Sequence, residues 1–151
     1  SFGIRAFIFR FANIVGERSN HGVSWDFIHK LRANPGVLEI LGDGRQTKSY
    51  LEVHDCVDAF LFVCDRAGST VNTFNIGSED WIDVVTIADL VVEAMGLEGV
   101  EYRFTGGDRG WIGDVPRMQL AIERLKALGW RPSIGSRESM ERAIRAQLEV
   151  A

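Results

Sequence analysis

Two short, strongly apolar segments constrain the fold of this chain more than any other feature of its sequence. Ile4 to Phe11 (IRAFIFRF) is rich in β-branched and aromatic residues, and Thr73 to Ile76 has the same character. Such runs are typical of strands that are buried on both faces of a parallel sheet. Because two strands cannot form a stable parallel sheet by themselves, we expect them to be the outer strands of a larger sheet whose other members are absent from this sequence.

The segments between these strands carry clear helix and turn signals. Val23 to Ala33 has the apolar spacing of a helix, and this helix is expected to stop before Asn34-Pro35. An Asp-Gly pair, Asp43-Gly44, lies between two extended runs, Val37 to Leu41 and Lys48 to Val53. Asp-Gly between apolar runs favours a tight turn, so the pattern predicts a β-hairpin.

Acidic and hydroxyl residues mark the starts of three further helices. Asp55 is predicted to cap a helix that ends just before Gly68 and is apolar nearly all round, so we expect this helix to lie in the centre of the fold. Asp83 and Ser136 are predicted to cap the other two. The remaining predicted elements are a strand at Glu101 to Phe104 and a helix at Leu120 to Leu128, closed by Gly129. This mixture predicts the α/β class.

Composition excludes several classes of function. The formal net charge of −4 and the pI of about 5.4 argue against a nucleic-acid-binding protein, which usually carries a basic stripe. No apolar run approaches the roughly 20 residues that cross a bilayer, so no membrane segment is expected. The histidines have no metal-ligand spacing with the cysteines, so we expect no metal site.

The two cysteines and the first residue bear on the cellular context. Cys56 and Cys64 fall in one predicted helix, about 12 Å apart at 1.5 Å per residue, which is too far for a disulfide. Free thiols fit a reducing cytosol, so a cytoplasmic location is expected. Because the sequence starts without Met, we expect that it begins inside a longer gene product.

Taken one at a time, the polar candidates for a site have ordinary structural explanations. An asparagine such as Asn13 commonly caps the loop after its strand, and cations on a turn, such as Arg45 and Lys48, are usually solvated. Asp114 before Val-Pro has the character of a turn residue.

Four stretches taken together resemble the extended short-chain dehydrogenases/reductases. They are RFANIVG (10–16), LGDGRQTKSYLEVHDCVDA (41–59), FNIGSEDWIDV (74–84) and GDVPRMQLAIERLKALGWRP (113–132). Each match is weak alone, but their order and spacing extend over nearly the whole chain. Within that family the chain is most similar to the NAD-dependent nucleotide-sugar epimerases and dehydratases, and above all to archaeal-type UDP-glucose 4-epimerases.

This resemblance is to the C-terminal half of such proteins. It implies one substrate-binding domain over residues 1–151, in which a small mixed α/β substrate domain is joined to the outer strands of an incomplete parallel sheet. The Rossmann domain that binds NAD, with its Gly-rich motif and its Tyr-x-x-x-Lys pair, is expected to lie outside this chain. The resemblance therefore implies no catalytic residue here and no turnover by this chain alone.

The implied function is to bind a nucleotide sugar, most simply a UDP-hexose, in an NAD-dependent 4-epimerase. The parent protein would be a homodimer, and its Rossmann half or a partner chain would cover the outer strands. Two alternatives remain open at this point. The chain is also compatible with half of a nucleotide-sugar dehydratase, decarboxylase or reductase, and with a stand-alone, non-catalytic domain that binds nucleotide sugars or docks on a partner.

The resemblance also assigns roles to individual residues. Asn13 would donate to the diphosphate, Lys48 and Arg109 would supply cations, and Asp114 would accept from the ribose hydroxyls. Ala12 would contact NAD through its backbone. The other residues placed at the substrate are Gly22, Val23, Ile40 and Met118.

Two positions depart from the common pattern of the family. Lys48 stands where the family has Arg, which keeps the charge but loses the bidentate fork. Arg109 stands five residues before Asp114, whereas the family arginine stands three before it, a place that Trp111 occupies here.

Overall fold

Strands and helices alternate along the chain in the computed structural model, which describes residues 3–110 and 113–150. In chain order the elements are β1 (Ala6–Phe11), β2 (Asn13–Val15), α1 (Val23–Ala33), β3 (Val37–Ile40), β4 (Thr47–Lys48), β5 (Tyr50–Glu52), α2 (Val53–Arg66), β6 (Val71–Ile76), β7 (Ile82–Asp83), α3 (Val84–Ala94), β8 (Glu101–Phe104), β9 (Arg117–Met118), α4 (Glu123–Leu128) and α5 (Ser136–Val150). The predicted α/β class is confirmed.

The two apolar segments that constrain the fold do pair with one another. β1 and β6 run parallel over their full lengths, from Ala6 opposite Val71 to Phe11 opposite Ile76. Parallel pairing needs a crossover connection, and α2 lies in the segment that joins the two strands. Among the described residues this sheet has only these two strands, as expected for the outer part of a larger sheet.

Two predictions are wrong for residues 3–110 and 113–150, namely that β1 is a buried strand and that α2 lies in the centre of the fold. The packed face of α2 carries Cys56, Ala59 and Val63, but Phe60 and Leu61 on its other side are exposed. The described residues therefore leave part of the surface of this helix exposed, although its sequence is apolar nearly all round. β1 likewise exposes large apolar side chains, namely Ile8 and Phe11.

The predicted β-hairpin around Asp43-Gly44 is also wrong. β3 pairs in parallel with β8, whereas β4 pairs with β7 and β9, so the two predicted arms never meet. The glycines of the turn do adopt positive φ values, 81° at Gly42 and 76° at Gly44. Their backbone carbonyls, however, accept from Gly106 and Val85, which lie in distant segments. Tertiary partners have replaced the cross-strand bonds of a hairpin.

Of the three predicted helix caps, one is confirmed and two are wrong. Asp83 caps α3 as predicted, because its Oδ1 accepts from the backbone N–H of Thr86 over 2.6 Å. α2 is capped instead by Glu52, and Asp55 accepts from the backbone N–H and hydroxyl of Ser133. Glu52 and Asp55 stand only three residues apart, so either could cap the helix by its position in the sequence. The contact of Asp55 with Ser133 leaves Glu52 as the cap.

The third predicted cap, Ser136, is the first residue of α5 rather than its cap. Its backbone N–H donates to Asp80 Oδ1 over 2.8 Å, and its buried hydroxyl accepts from the backbone N–H of Tyr50 over 2.9 Å. α4 is three residues shorter at its start than predicted, and Gly129 closes it with a φ of 110°. Ser136 thus ties α5 to β5.

Two apolar clusters hold the described residues together. One joins α1, α3 and α5 to β3 through residues such as Phe27, Ile87 and Met140. The other packs α2 and α4 against β6 and β5 through residues such as Leu125 and Leu51. β2 and β5, which pair in parallel, lie between the two clusters. The open side of this junction is where the candidate site forms.

Candidate functional site

A cavity of about 710 Å³ lies at the junction of the two clusters. Its walls come from the chain just after β1, from β2, from the start of α1, from the segment around β4 and β5, and from the loop at Asp114. The volume lies in the range of small-molecule sites, which is about 300–1,000 Å³. Six residues that the sequence predicted for the site line it: Ala12, Asn13, Gly22, Val23, Lys48 and Asp114.

Lys48 and Asp114 form an ion pair in the cavity wall. Lys48 Nζ donates to Asp114 Oδ1 over 2.5 Å, and the backbone N–H of Gly110 donates to Asp114 Oδ2 over 3.0 Å. Burial would raise the pKa of the Asp114 carboxyl, but the hydrogen bonds from Lys48 and Gly110 outweigh it and hold the pKa below its usual value. Asp114 is therefore ionised at neutral pH, and its remaining lone pairs can accept from a ligand.

Alternate residues of one segment present three polar side chains to the cavity. Gln46, Lys48 and Tyr50 all line it, as expected for an extended chain in which every second side chain points the same way. Burial, together with the nearby charge of Asp114, raises the pKa of Tyr50 to about 12. Its phenol therefore stays protonated at neutral pH and remains able to donate a hydrogen bond.

The start of α1 forms another part of the wall. Gly22 precedes the helix with a φ of 93°, a conformation that suits glycine, and no side chain caps the helix there. Gly22 and Val23 both line the cavity. Uncapped backbone N–H groups at a helix start, together with the helix dipole, favour a negatively charged ligand group.

Ala12 and Asn13 lie in the wall but already use part of their donor capacity. Asn13 Nδ2 donates to the backbone oxygen of Ser49 over 3.2 Å, which leaves one amide hydrogen for a ligand. The backbone N–H of Ala12 donates to the oxygen of Ile76 over 2.9 Å. Their roles toward diphosphate and NAD stay predictions.

Three other residues predicted for the site do not line the cavity. Ile40 is fully buried in the apolar cluster of α1, α3 and α5, because Leu38 and Ile40 alternate onto the inner face of β3. Leu41, the next residue, lines the cavity in its place. Met118 is half-buried opposite Lys48 in β9, and the side chain of Arg109 is exposed to solvent. The role of a ligand cation is thus left to Lys48 in this cavity.

The last loop contains a glycine spacing that resembles a nucleotide motif. Gly107, Gly110 and Gly113 stand three residues apart, as in Gly-x-x-Gly-x-x-Gly. The described chain continues from Gly113 into β9 and not into a helix, so the helix start that holds a pyrophosphate in dinucleotide-binding turns does not follow. Trp111, which stands at the place of the family arginine, lies outside the described residues.

Sequence reasoning missed several residues of the wall. Gln46 and Tyr50 could have been found, because each is two positions from Lys48 in an extended segment. His21 and Met140 lie far from Lys48 in the sequence, and only folding brings them to the same cavity.

Two other features are not found among the described residues. No cluster of three or more histidine, cysteine or acidic side chains among them is arranged to hold a metal ion. None of their helices combines the length and the apolar character needed to cross a membrane.

Comparison with known proteins shows the family to which the chain belongs. Residues 1–77 match the family described as the NAD dependent epimerase/dehydratase family. The chain belongs to this family. A putative UDP-glucose 4-epimerase of Methanocaldococcus jannaschii is 31% identical over 147 residues, which cover 95% of this chain and 46% of that protein.

Solved structures of the epimerase/dehydratase family resemble the chain over nearly its whole length. A crystal structure of a UDP-galactose 4-epimerase matches with a TM-score of 0.84 and 38% identity, covering 99% of this chain and 47% of that one. A UDP-glucose 4-epimerase of Thermotoga maritima, solved with UDP-glucose, matches with a TM-score of 0.76 and 25% identity, covering 99% and 48%. The chain thus spans about half the length of these relatives and corresponds to their C-terminal portion.

Proposed function

We propose that this chain is the nucleotide-sugar-binding half of an NAD-dependent 4-epimerase that acts on a UDP-hexose. The observation that carries the proposal is its similarity, over 99% of its length, to a UDP-galactose 4-epimerase structure. The cavity supports it: a helix start and Lys48 suit a diphosphate, and Asp114 suits ribose hydroxyls.

In this proposal the chemistry depends on groups outside the chain. NAD, bound mainly by a Rossmann half, would supply hydride transfer at the sugar C4, and a Tyr and a Lys of that half would handle the proton. The residues described above bind and orient the nucleotide, and this chain alone is inactive. The thiols of Cys56 and Cys64 are free, which supports a cytoplasmic location.

Binding of UDP tests the proposal directly. Titration calorimetry of the folded chain should show saturable binding, and Lys48→Ala and Asp114→Ala should each weaken it by about 10- to 100-fold, since hydrogen bonds to charged groups contribute about 1.5–3 kcal/mol. Each variant leaves its partner's charge unpaired in the cavity wall, so thermal unfolding must first show that it is folded.

Lys126→Ala is the matched control for Lys48→Ala. Lys126 is 26% exposed and Lys48 25%, each is paired with a carboxylate, and Lys126 does not line the cavity. The control should bind UDP as the unaltered chain does. Unchanged binding in Lys48→Ala, or an equal loss in Lys126→Ala, would contradict the proposed site; no binding by the folded chain would contradict the proposal that this half binds by itself.

The exposed apolar side chains of β1 and α2 support the further proposal that a Rossmann half covers them. Phe9 packs against Phe60 of α2 with tilted rings, 4.8 Å apart between centroids, and its ring centroid lies 6.3 Å from that of Phe11. Ile8, which alternates with Phe9, is exposed on the opposite face of β1. A strand with apolar side chains exposed on both faces and no described partner at one edge suits the inside of a larger sheet.

Association of the isolated chain tests this second proposal. Sedimentation should show self-association of the unaltered chain, because uncovered sheet edges and apolar patches associate, and Leu61→Lys should reduce it. Leu61 is 59% exposed, so the substitution should leave the unfolding midpoint nearly unchanged. A chain that unfolds cooperatively and is monomeric without any substitution would argue instead for a stand-alone binding domain.

A further inference from the structure

The side chain of Gln46 is buried in the cavity wall, and within the part of the chain that the structure describes only its amide nitrogen has a hydrogen-bond partner. It is 3% exposed and lines the cavity beside Lys48. Gln46 Nε2 donates to the backbone oxygen of Leu41 over 3.0 Å. Gln46 Oε1 is buried and has no hydrogen-bond partner among the described residues. A buried polar atom without a partner is uncommon in folded proteins and needs an explanation.

The orientation of this amide is determined by its surroundings. Exchanging its oxygen and nitrogen would place Gln46 Oε1 against the carbonyl oxygen of Leu41, and two acceptors cannot bond to one another. Gly42 makes the position possible, since a Cβ on this residue would overlap Gln46 Nε2. The turn at Gly42 therefore holds the Gln46 amide so that Nε2 is hydrogen-bonded and Oε1 has no partner among the described residues.

The chemistry of Gln46 Oε1 limits which groups of a ligand can form a hydrogen bond with it. An amide oxygen only accepts, so its partner must be an N–H or O–H group. The phosphates of a nucleotide are acceptors at neutral pH, whereas the ring N–H of a uracil-type base and the hydroxyls of a ribose are donors. Gln46 adjoins Lys48 and Asp114, the residues to which the proposed function assigns the nucleotide.

We propose that Gln46 Oε1 accepts a hydrogen bond from the nucleoside part of the bound nucleotide and thereby selects nucleosides that carry a donor at that point. This inference rests on the proposed function, since it assigns one contact within the same cavity. Gln46 positions and discriminates the ligand and takes no part in a chemical step.

Gln147 provides a matched control from the same chain. It is fully buried, its Nε2 donates to the backbone oxygen of Ser19 over 3.2 Å, and its Oε1 also has no partner among the described residues. Unlike Gln46, it does not line the cavity. Gln46→Met and Gln147→Met remove the same groups from equally buried positions, so only a ligand contact should separate their effects on binding.

Calorimetric titration with UDP is the experiment. Gln46→Met should bind UDP about 2- to 10-fold more weakly than the unaltered chain, the effect of one neutral hydrogen bond, while Gln147→Met should bind it equally well. Repeating the titrations with 3-methyl-UDP and 2′,3′-dideoxy-UDP distinguishes the ring N–H from the ribose hydroxyls. The analogue that lacks the relevant donor should lose more affinity, relative to UDP, in the unaltered chain than in Gln46→Met.

The outcomes separate this inference from the proposed function. Binding of UDP with unchanged affinity in Gln46→Met, or an equal loss in Gln147→Met, would overturn the role of Gln46 and leave the proposed function standing. An equal penalty for both analogues in the unaltered chain and in Gln46→Met would also overturn it. Absence of UDP binding by the unaltered, folded chain would overturn both.

Discussion

Gly42→Ala is expected to destabilise the chain by about 2–5 kcal/mol, because two separate costs fall on one position. The backbone of Gly42 has a φ of 81°, where a residue with a Cβ is disfavoured by about 1–2 kcal/mol. The added methyl group would also overlap the Gln46 amide and lie 2.9 Å from the backbone oxygen of Arg109. Overpacking of this kind typically costs about 1–3 kcal/mol.

Gly106→Ala is the control that separates the conformational cost from the steric cost. Gly106 has nearly the same φ, 83°, but an added Cβ would meet no heavy atom within 4 Å. We therefore expect this control to show only the conformational cost of about 1–2 kcal/mol. Urea unfolding of both variants and of the unaltered chain measures the difference in the free energy of unfolding. Equal midpoints for the two variants would show that a Cβ at Gly42 carries no steric cost.

Leu125→Ala is expected to cost about 2–5 kcal/mol, as large-to-small substitutions in a packed core do. Leu125 lies in α4 and is fully buried in the cluster that joins α2, α4, β5 and β6. Its removal leaves a cavity that Trp130 and Phe74, held by their own contacts in the same cluster, cannot fill completely.

Leu61→Ala is the matched comparison, because it makes the same change within another helix. Leu61 is 59% exposed in α2, so we expect its replacement to change the free energy of unfolding by less than about 0.5 kcal/mol. Denaturant unfolding of the two variants checks both values. A loss at Leu61 as large as that at Leu125 would mean that the outer side of α2 is covered in the isolated chain, for instance by a second copy.

Local sequence signals determined the elements whose ends are satisfied by near neighbours. The bounds of α1, the capping of α3 by Asp83 and the end of α4 at Gly129 all agree with prediction. In each case the deciding interaction lies within a few residues: a proline after the helix, a side chain three positions from an N–H group, or a glycine with positive φ.

Local signals misled the prediction wherever the structure depends on partners that are distant in the sequence. Asp43-Gly44 favours a hairpin locally, but the neighbouring carbonyls bond to Val85 and Gly106, and the strands on either side pair elsewhere. The apolar sequence of α2 indicated a helix surrounded on all sides, and the described residues leave part of its surface exposed. Hydrophobicity says that a surface should be covered, not which segment covers it.

The features of the candidate site also divide into those that the sequence determined and those that only the tertiary structure decided. The sequence by itself determined which residue types stand at Asn13, Lys48 and Asp114, and the resemblance of four short stretches pointed to an epimerase family that the comparisons confirm. Only the tertiary structure decided that Lys48 and Asp114 form an ion pair, that Met140 lines the same cavity, and that Ile40 is core. The physical reason is that pairing of β4 with β9 brings together residues 66 positions apart, and nothing local in either segment encodes that contact.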